Sequence, residues 1–204
     1  MARWTIARAC SKRLGTKIPM VVPLFLPHNV GASAARKAGV AACRSEWIAF
    51  LDSDDLWVED AAASLLGAAV HDTLDVAVGL FSRIGRDEVA SAPECAWDDS
   101  DICMALRTRS VIGPSWSIIR RDVLLAAGGW DPSFRTCEDW DFFGRVAAKD
   151  ARFGRIERLV AYYRTVAGER LADNDADLAA GRARVLAHPF LSTARSFVKA
   201  ACNL

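Results

Sequence analysis

The chain is poor in the features that would assign it quickly. Its six cysteines form no CxxC pair, and none of its three histidines stands at a spacing that zinc sites use, so a structural zinc module is excluded. Cys10, Cys43, Cys95, Cys103, Cys137 and Cys202 therefore read as reduced residues of a cytosolic protein, several of them inside apolar segments. Neither sign of charge is in excess. Lys+Arg 26 against Asp+Glu 25 leaves a net charge of +1, which provides no global field for nucleic acid and no acidic tail, and no nucleic-acid partner is expected. No apolar run is long enough to span a bilayer. The longest, Ile18 to Pro27, is interrupted by Pro19 and Pro23, and the basic stretch Met1 to Lys17 lacks the apolar centre and cleavage site of a secretory signal. The expected location is the cytoplasm, compatible with peripheral association at the inner face of a membrane. No repeat, low-complexity tract or linker divides the chain, so residues 1–204 read as one domain, with 1–16 a poorly defined lead-in and 171–204 a helical extension.

What the sequence does contain is 52% hydrophobic residues, enough for a substantial core, and one abrupt transition. The apolar run Ile48, Ala49, Phe50, Leu51 ends in Asp52, Ser53, Asp54, Asp55. Such a run predicts a buried strand that delivers carboxylates to the mouth of a sheet. Around it lie a helix over 33–43 with Ser33 as its cap, a strand over 47–51, a helix over 59–69 and a strand over 74–81, an alternation that predicts a parallel sheet covered by helices. Ligands in such sheets bind at the carboxyl ends of strands, where these aspartates fall. Further along, the pattern predicts an edge strand in 17–27, a loosely patterned excursion over 82–114 with the acidic cluster Asp98, Asp99 and Asp101, and a strand over 115–119. A helix capped by Asp122 ends at Gly128 and Gly129, a helix runs to about Ala148, a last strand spans 159–163, and two final helices span 176–186 and 191–201.

Several groups of residues carry candidate chemistry. In an extended chain Asp52 and Asp54 share a face and can converge on one cation; an all-oxygen set suits Mg2+ or Mn2+, while a helix cap with an acidic first turn is the structural alternative. Glu138, Asp139 and Asp141 precede a helix beside an aromatic-rich loop. A carboxylate held there can act as a general base, or simply favour the positive end of the helix dipole. The turn Asn29, Gly31, Ser33 with Arg36 can approach a phosphate, or be a turn with a solvated arginine; Arg164 and Arg170 pose the same choice. Trp57, Trp130 and Trp140 flank the acidic loci, where they can stack on a sugar or pack in the core. An aspartate-nucleophile phosphatase fits Asp52 and Asp54 superficially, but Leu56 stands where that chemistry wants a hydroxyl.

Taken together, Asn29, Gly31, Ala35, Arg36 and Gly39, then Trp47 to Asp55, then Ile119, Arg120, Gly128, Gly129, Trp130 and Asp131, then Glu138, Asp139, Trp140 and Asp141 resemble glycosyltransferase family 2, inverting enzymes of the GT-A fold. The resemblance covers about Lys17 to Tyr163. It implies a GT-A-like mixed, mainly parallel sheet with helices on both faces, a nucleotide-sugar donor, and a saccharide or lipid-linked acceptor. Asp52 and Asp54 would form the DxD element, Asp54 as the chief metal ligand and Asp52 nearer the ribose, with Asp55 supporting the loop and Asn29, Gly31 and Arg36 on the donor side. Asp139, with Glu138 beside it, would be the catalytic base, and Trp130, Asp131 and Trp140 would border the acceptor sugar. The family's opening strand, helix and strand have no counterpart here, so the resemblance also implies an N-terminally truncated domain. The alternative function is a catalytically silent remnant that serves as a binding module.

Overall fold

The computed structural model describes residues 21–98, 101–165 and 175–189. The 1–16 lead-in with Cys10, the start of the 17–27 segment, Asp99, Arg170, the helix over 191–201 and Cys202 lie outside the described residues.

The described chain runs α1 (Ala32–Ala42), β1 (Trp47–Ala49), β2 (Leu56–Trp57), α2 (Ala61–His71), β3 (Val76–Ile84), α3 (Ile102–Leu106), a 3-10 turn at Pro114–Trp116, β4 (Ser117–Arg120), α4 (Arg121–Ala126), α5 (Glu138–Ala147), β5 (Phe153–Arg164) and α6 (Asp175–Leu186). One sheet has the order β1-β4-β3-β5-β2. The pairs β1–β4, β4–β3 and β5–β2 are antiparallel, and only β3–β5 is parallel. The expected mixed α/β architecture is present, but the parallel majority is not. The α/β alternation does align β1, β3 and β5. After the 82–114 excursion, however, β4 enters from the opposite end and fills the slot between β1 and β3, pairing Ile119 with both Ile48 and Val76.

Burial explains the layering. β3 is covered on both faces and contributes Val76, Ala77, Val78 and Phe81 to the core, while α2 lays Ala61, Leu65 and Ala69 against the sheet. Trp130, Leu124, Phe142, Phe143 and Val146 extend the same cluster beneath α4 and α5. β3 and β5 approach so closely at Gly79 that an added Cβ would lie 2.5 Å from Val160 Cγ2.

Local departures have local causes. Residues 21–27 form no strand, because Pro23 and Pro27 supply no ladder donor. Ser33 does not cap α1: Gly31 holds that position at φ 82°, its amide donates to Asn29 Oδ1 (3.0 Å), and Ser33 is buried within the helix. Asp122 lies in the first turn of α4 rather than before it, accepting from its neighbour Val123 N (2.8 Å). In the excursion, Asp101 caps α3 by accepting from Cys103 N (2.8 Å) and Met104 N (3.3 Å).

Candidate functional site

The two acidic loci, 86 positions apart from Asp52 to Glu138, meet across one arginine. α1 places Arg36 so that its Nη2 donates to Asp52 Oδ1 at 2.5 Å and its Nη1 to Glu138 Oε1 at 3.1 Å. The Arg36 side chain is only 10% exposed, and its guanidinium lies 4.6 Å from the centre of the Trp130 ring. Burial alone would weaken its hold on its proton, but Asp52 and Glu138 reverse that and raise its pKa. Arg36 therefore faces carboxylates from both loci, not the open anion-binding turn its sequence position suggested. Asn29 and Gly31 stay exposed at the start of α1 and bond to each other.

The acidic loop after β1 is held by its third aspartate. Asp55 is buried and accepts from Ser115 Oγ (2.5 Å) and from Arg164 N (3.1 Å). Burial pushes its pKa up to about 6 against those two hydrogen bonds. Ser115 Oγ also accepts from Asp52 N (3.1 Å), and Arg164 Nε donates to the Asp54 carbonyl (3.2 Å). The Asp54 carboxylate is left exposed, with no hydrogen bond or ion pair among the described residues. Among those residues no three His, Cys, Asp or Glu side chains cluster as a complete metal cage. One free carboxylate, with Asp52 nearby, fits a hydrated Mg2+ or Mn2+ that takes its remaining ligands from phosphate and water.

At the second locus, Cys137 adopts a left-handed conformation (φ 60°) and turns the chain into α5, whose first turn carries Glu138, Asp139 and Asp141. Asp139 accepts from Ser110 Oγ (3.1 Å) and Trp140 N (2.7 Å). Desolvation first, and then the neighbouring Glu138 charge, raise its pKa to about 6. Asp141 is buried and pairs within α5 with Arg145 (2.6 Å), whose Nη1 donates to Ala127 O ahead of the helix.

The aromatic assignments change most. Trp130 is buried, stacked on Phe142 (4.3 Å) with Phe50 edge-on (5.3 Å); Trp140 is buried and donates through Nε1 to Leu106 O. Neither offers a ring face to a sugar, because an apolar face in this position is worth more in the core than in water. Trp57 is half-buried and donates to Ser115 O (2.6 Å). Asp131 has partners other than Arg36, the residue that joins the two acidic loci. It accepts from Ser133 N and Oγ and pairs with Arg184 (3.1 Å), which together outweigh its partial burial and lower its pKa. It lines a cavity of about 430 Å³ with Lys37, Trp130, Asp141, Arg145, Arg184 and His188, and so shares that cavity with Asp141 of the second locus. Sequence reading missed Ser110 and Ser115, since a lone serine in a loop or at a strand start carries no pattern.

The mixed sheet with its packed helices is similar to glycosyltransferase structures of the GT-A class. S. aureus TarS 1-349 solved with UDP-GlcNAc superposes with a TM-score of 0.62 over 79% of this chain and 46% of TarS, at 17% identity. The profile named "Glycosyl transferase family 2" matches residues 3–124, and the chain belongs to that family. The match ends before the Glu138 locus. Among relatives, the Pre-mycofactocin glycosyltransferase of Mycobacterium tuberculosis is 29% identical over 140 residues, covering 63% of this chain and 29% of that protein. YwdF of Bacillus subtilis, named an uncharacterized glycosyltransferase, is 32% identical over 183 residues, covering 86% of this chain and 65% of YwdF. The chain thus spans under a third of the mycobacterial relative and under half of TarS. No helix among the described residues is long and apolar enough to cross a membrane.

Proposed function

We propose that this domain transfers a sugar, with inversion, from a nucleotide-sugar donor to an acceptor hydroxyl on a saccharide or a lipid-linked carrier. The observation that carries the reading is the Arg36 bridge, which brings the Asp52–Asp55 loop and the amino end of α5 to one place. Family membership and a structural neighbour solved with UDP-GlcNAc support the donor class.

Asp54, with Asp52 beside it, would hold Mg2+ or Mn2+, which supplies positive charge against the departing diphosphate. Asp52 and Asp54 present the donor side of the cleft. Asp139 takes the proton of the acceptor hydroxyl as that oxygen bonds to the anomeric carbon. The carbon–phosphate-oxygen bond breaks on the opposite face and its electron pair leaves with the nucleoside diphosphate. With a pKa of about 6, Asp139 is mostly ionised at neutral pH and remains basic enough to accept a proton. Ser110 and the Trp140 amide fix its two oxygens.

The test is calorimetric titration with a panel of nucleoside diphosphates and Mg2+, followed by product release from the matching nucleotide sugar. Asp54→Asn should weaken nucleotide binding, whereas Asp139→Asn should leave binding intact and lower transfer by about 10²-fold or more. Binding of no nucleoside diphosphate by the wild type, or unchanged transfer in Asp139→Asn, overturns the reading.

A further inference from the structure

We propose that Arg36 is a positioning residue that energetically couples the donor loop to the base helix, so that what binds at Asp52 is felt at Glu138 and the reverse. The inference rests on reading Asp52 as a donor-side group, and it goes beyond that reading by linking the two halves of the site.

The geometry leaves Arg36 no independent freedom. One guanidinium serves Asp52 with Nη2 and Glu138 with Nη1, so both carboxylates draw on a single cation. Trp130 lies under it at 4.6 Å, and that ring is itself wedged between Phe142 of α5 and Phe50, two residues before Asp52. Arg36 Nε is buried without a partner, so the guanidinium is positioned by its two carboxylates and the ring rather than by solvent. Removing a partner from a buried charge pair costs more than the pair contributes, because the remaining charge is left uncompensated. Asp52, Glu138 and the adjacent Asp139 would then repel one another without their shared cation.

Two consequences follow. A group that draws Asp52 toward a ligand leaves Arg36 more fully to Glu138. Conversely, neutralising Glu138 leaves Arg36 more fully to Asp52 and makes Asp52 less available to a ligand. Coupling of this kind is reciprocal by thermodynamic necessity.

The experiment is a set of cycles in the intact chain. UDP with Mg2+ serves as the ligand probe, and urea unfolding provides a readout that needs no ligand. In the Arg36 background, Glu138→Gln should weaken UDP binding by about fivefold, although Glu138 lies on the base side. In the Arg36→Met background the same substitution should leave UDP affinity unchanged, and Arg36→Lys should restore part of the effect. In unfolding, Asp52→Asn and Glu138→Gln should each lower the midpoint when Arg36 is present, and should be neutral or raise it in Arg36→Met, where each relieves repulsion. If the wild type binds no UDP, the reading of the donor is at fault and the unfolding cycle alone decides the coupling. Effects of Asp52→Asn and Glu138→Gln on unfolding that add independently, with the same sign in both backgrounds, overturn the proposal.

Discussion

Asp139 and Asp55 are both carboxyl groups pushed up to about 6, with opposite consequences for what is measured. In the proposed transfer the ionised form of Asp139 is the useful one. The kcat/KM of transfer should rise as pH increases through about 6 and then level, and the acidic limb should disappear in Asp139→Asn along with most of the activity. For Asp55 the protonated form is the stable one. Its unfolded value is near 3.8 and its folded value about 6, so between them the folded chain keeps a proton that the unfolded chain has lost. The contribution is fully present below the unfolded value and is lost as pH rises through the folded one. Urea midpoints should therefore fall between pH 4 and about 6.5, and Asp55→Asn should flatten part of that slope. Asp139 contributes with the same sign, so the flattening is partial.

At the scale of elements, two contacts set how tightly the site is framed. β3 and β5 touch at Gly79, where a methyl group would meet Val160 Cγ2 at 2.5 Å; Gly79→Ala should cost about 1–3 kcal/mol in unfolding by spreading the central strands. α6 docks on the segment leading into α5. Thr136 Oγ1 donates to Asp177 O (2.8 Å), and Arg184 lies 3.9 Å over Phe134 while bonding Ser133 O (3.0 Å). Arg184→Ala removes the cation from that ring, worth about 1 kcal/mol at a half-exposed site, so amide exchange in α6 should quicken while β3 keeps its protection. The elements themselves were largely legible in sequence. The alanine-rich α1, the apolar α2 and the Gly128–Gly129 stop of α4 all follow from local propensity and from the left-handed φ that glycine tolerates. Ser33 misled because a capping residue type can equally sit inside a helix when a glycine just upstream already makes the turn.

For the molecule as a whole, two acidic loci were legible in the sequence, but not that Arg36 joins them. The carboxylates stood out because three acidic residues ending an apolar run contradict the pattern around them. Pairing order was hidden, since nothing local to Ser117–Arg120 says that it inserts between β1 and β3. Trp130 and Trp140 were ambiguous for a related reason: tryptophan beside carboxylates looks the same in sequence whether its ring faces a ligand or a core. Long-range partners were the least accessible, and Asp55 shows what they imply. Its two donors come from Ser115, 60 residues away, and Arg164, 109 residues away. Contacts of such separation require the closure of long loops, and both donors must already have been synthesised. A nascent chain halted before Arg164 would thus carry every aspartate of the loop but lack the Arg164 amide that holds Asp55 and the Arg164 Nε that donates to the Asp54 carbonyl.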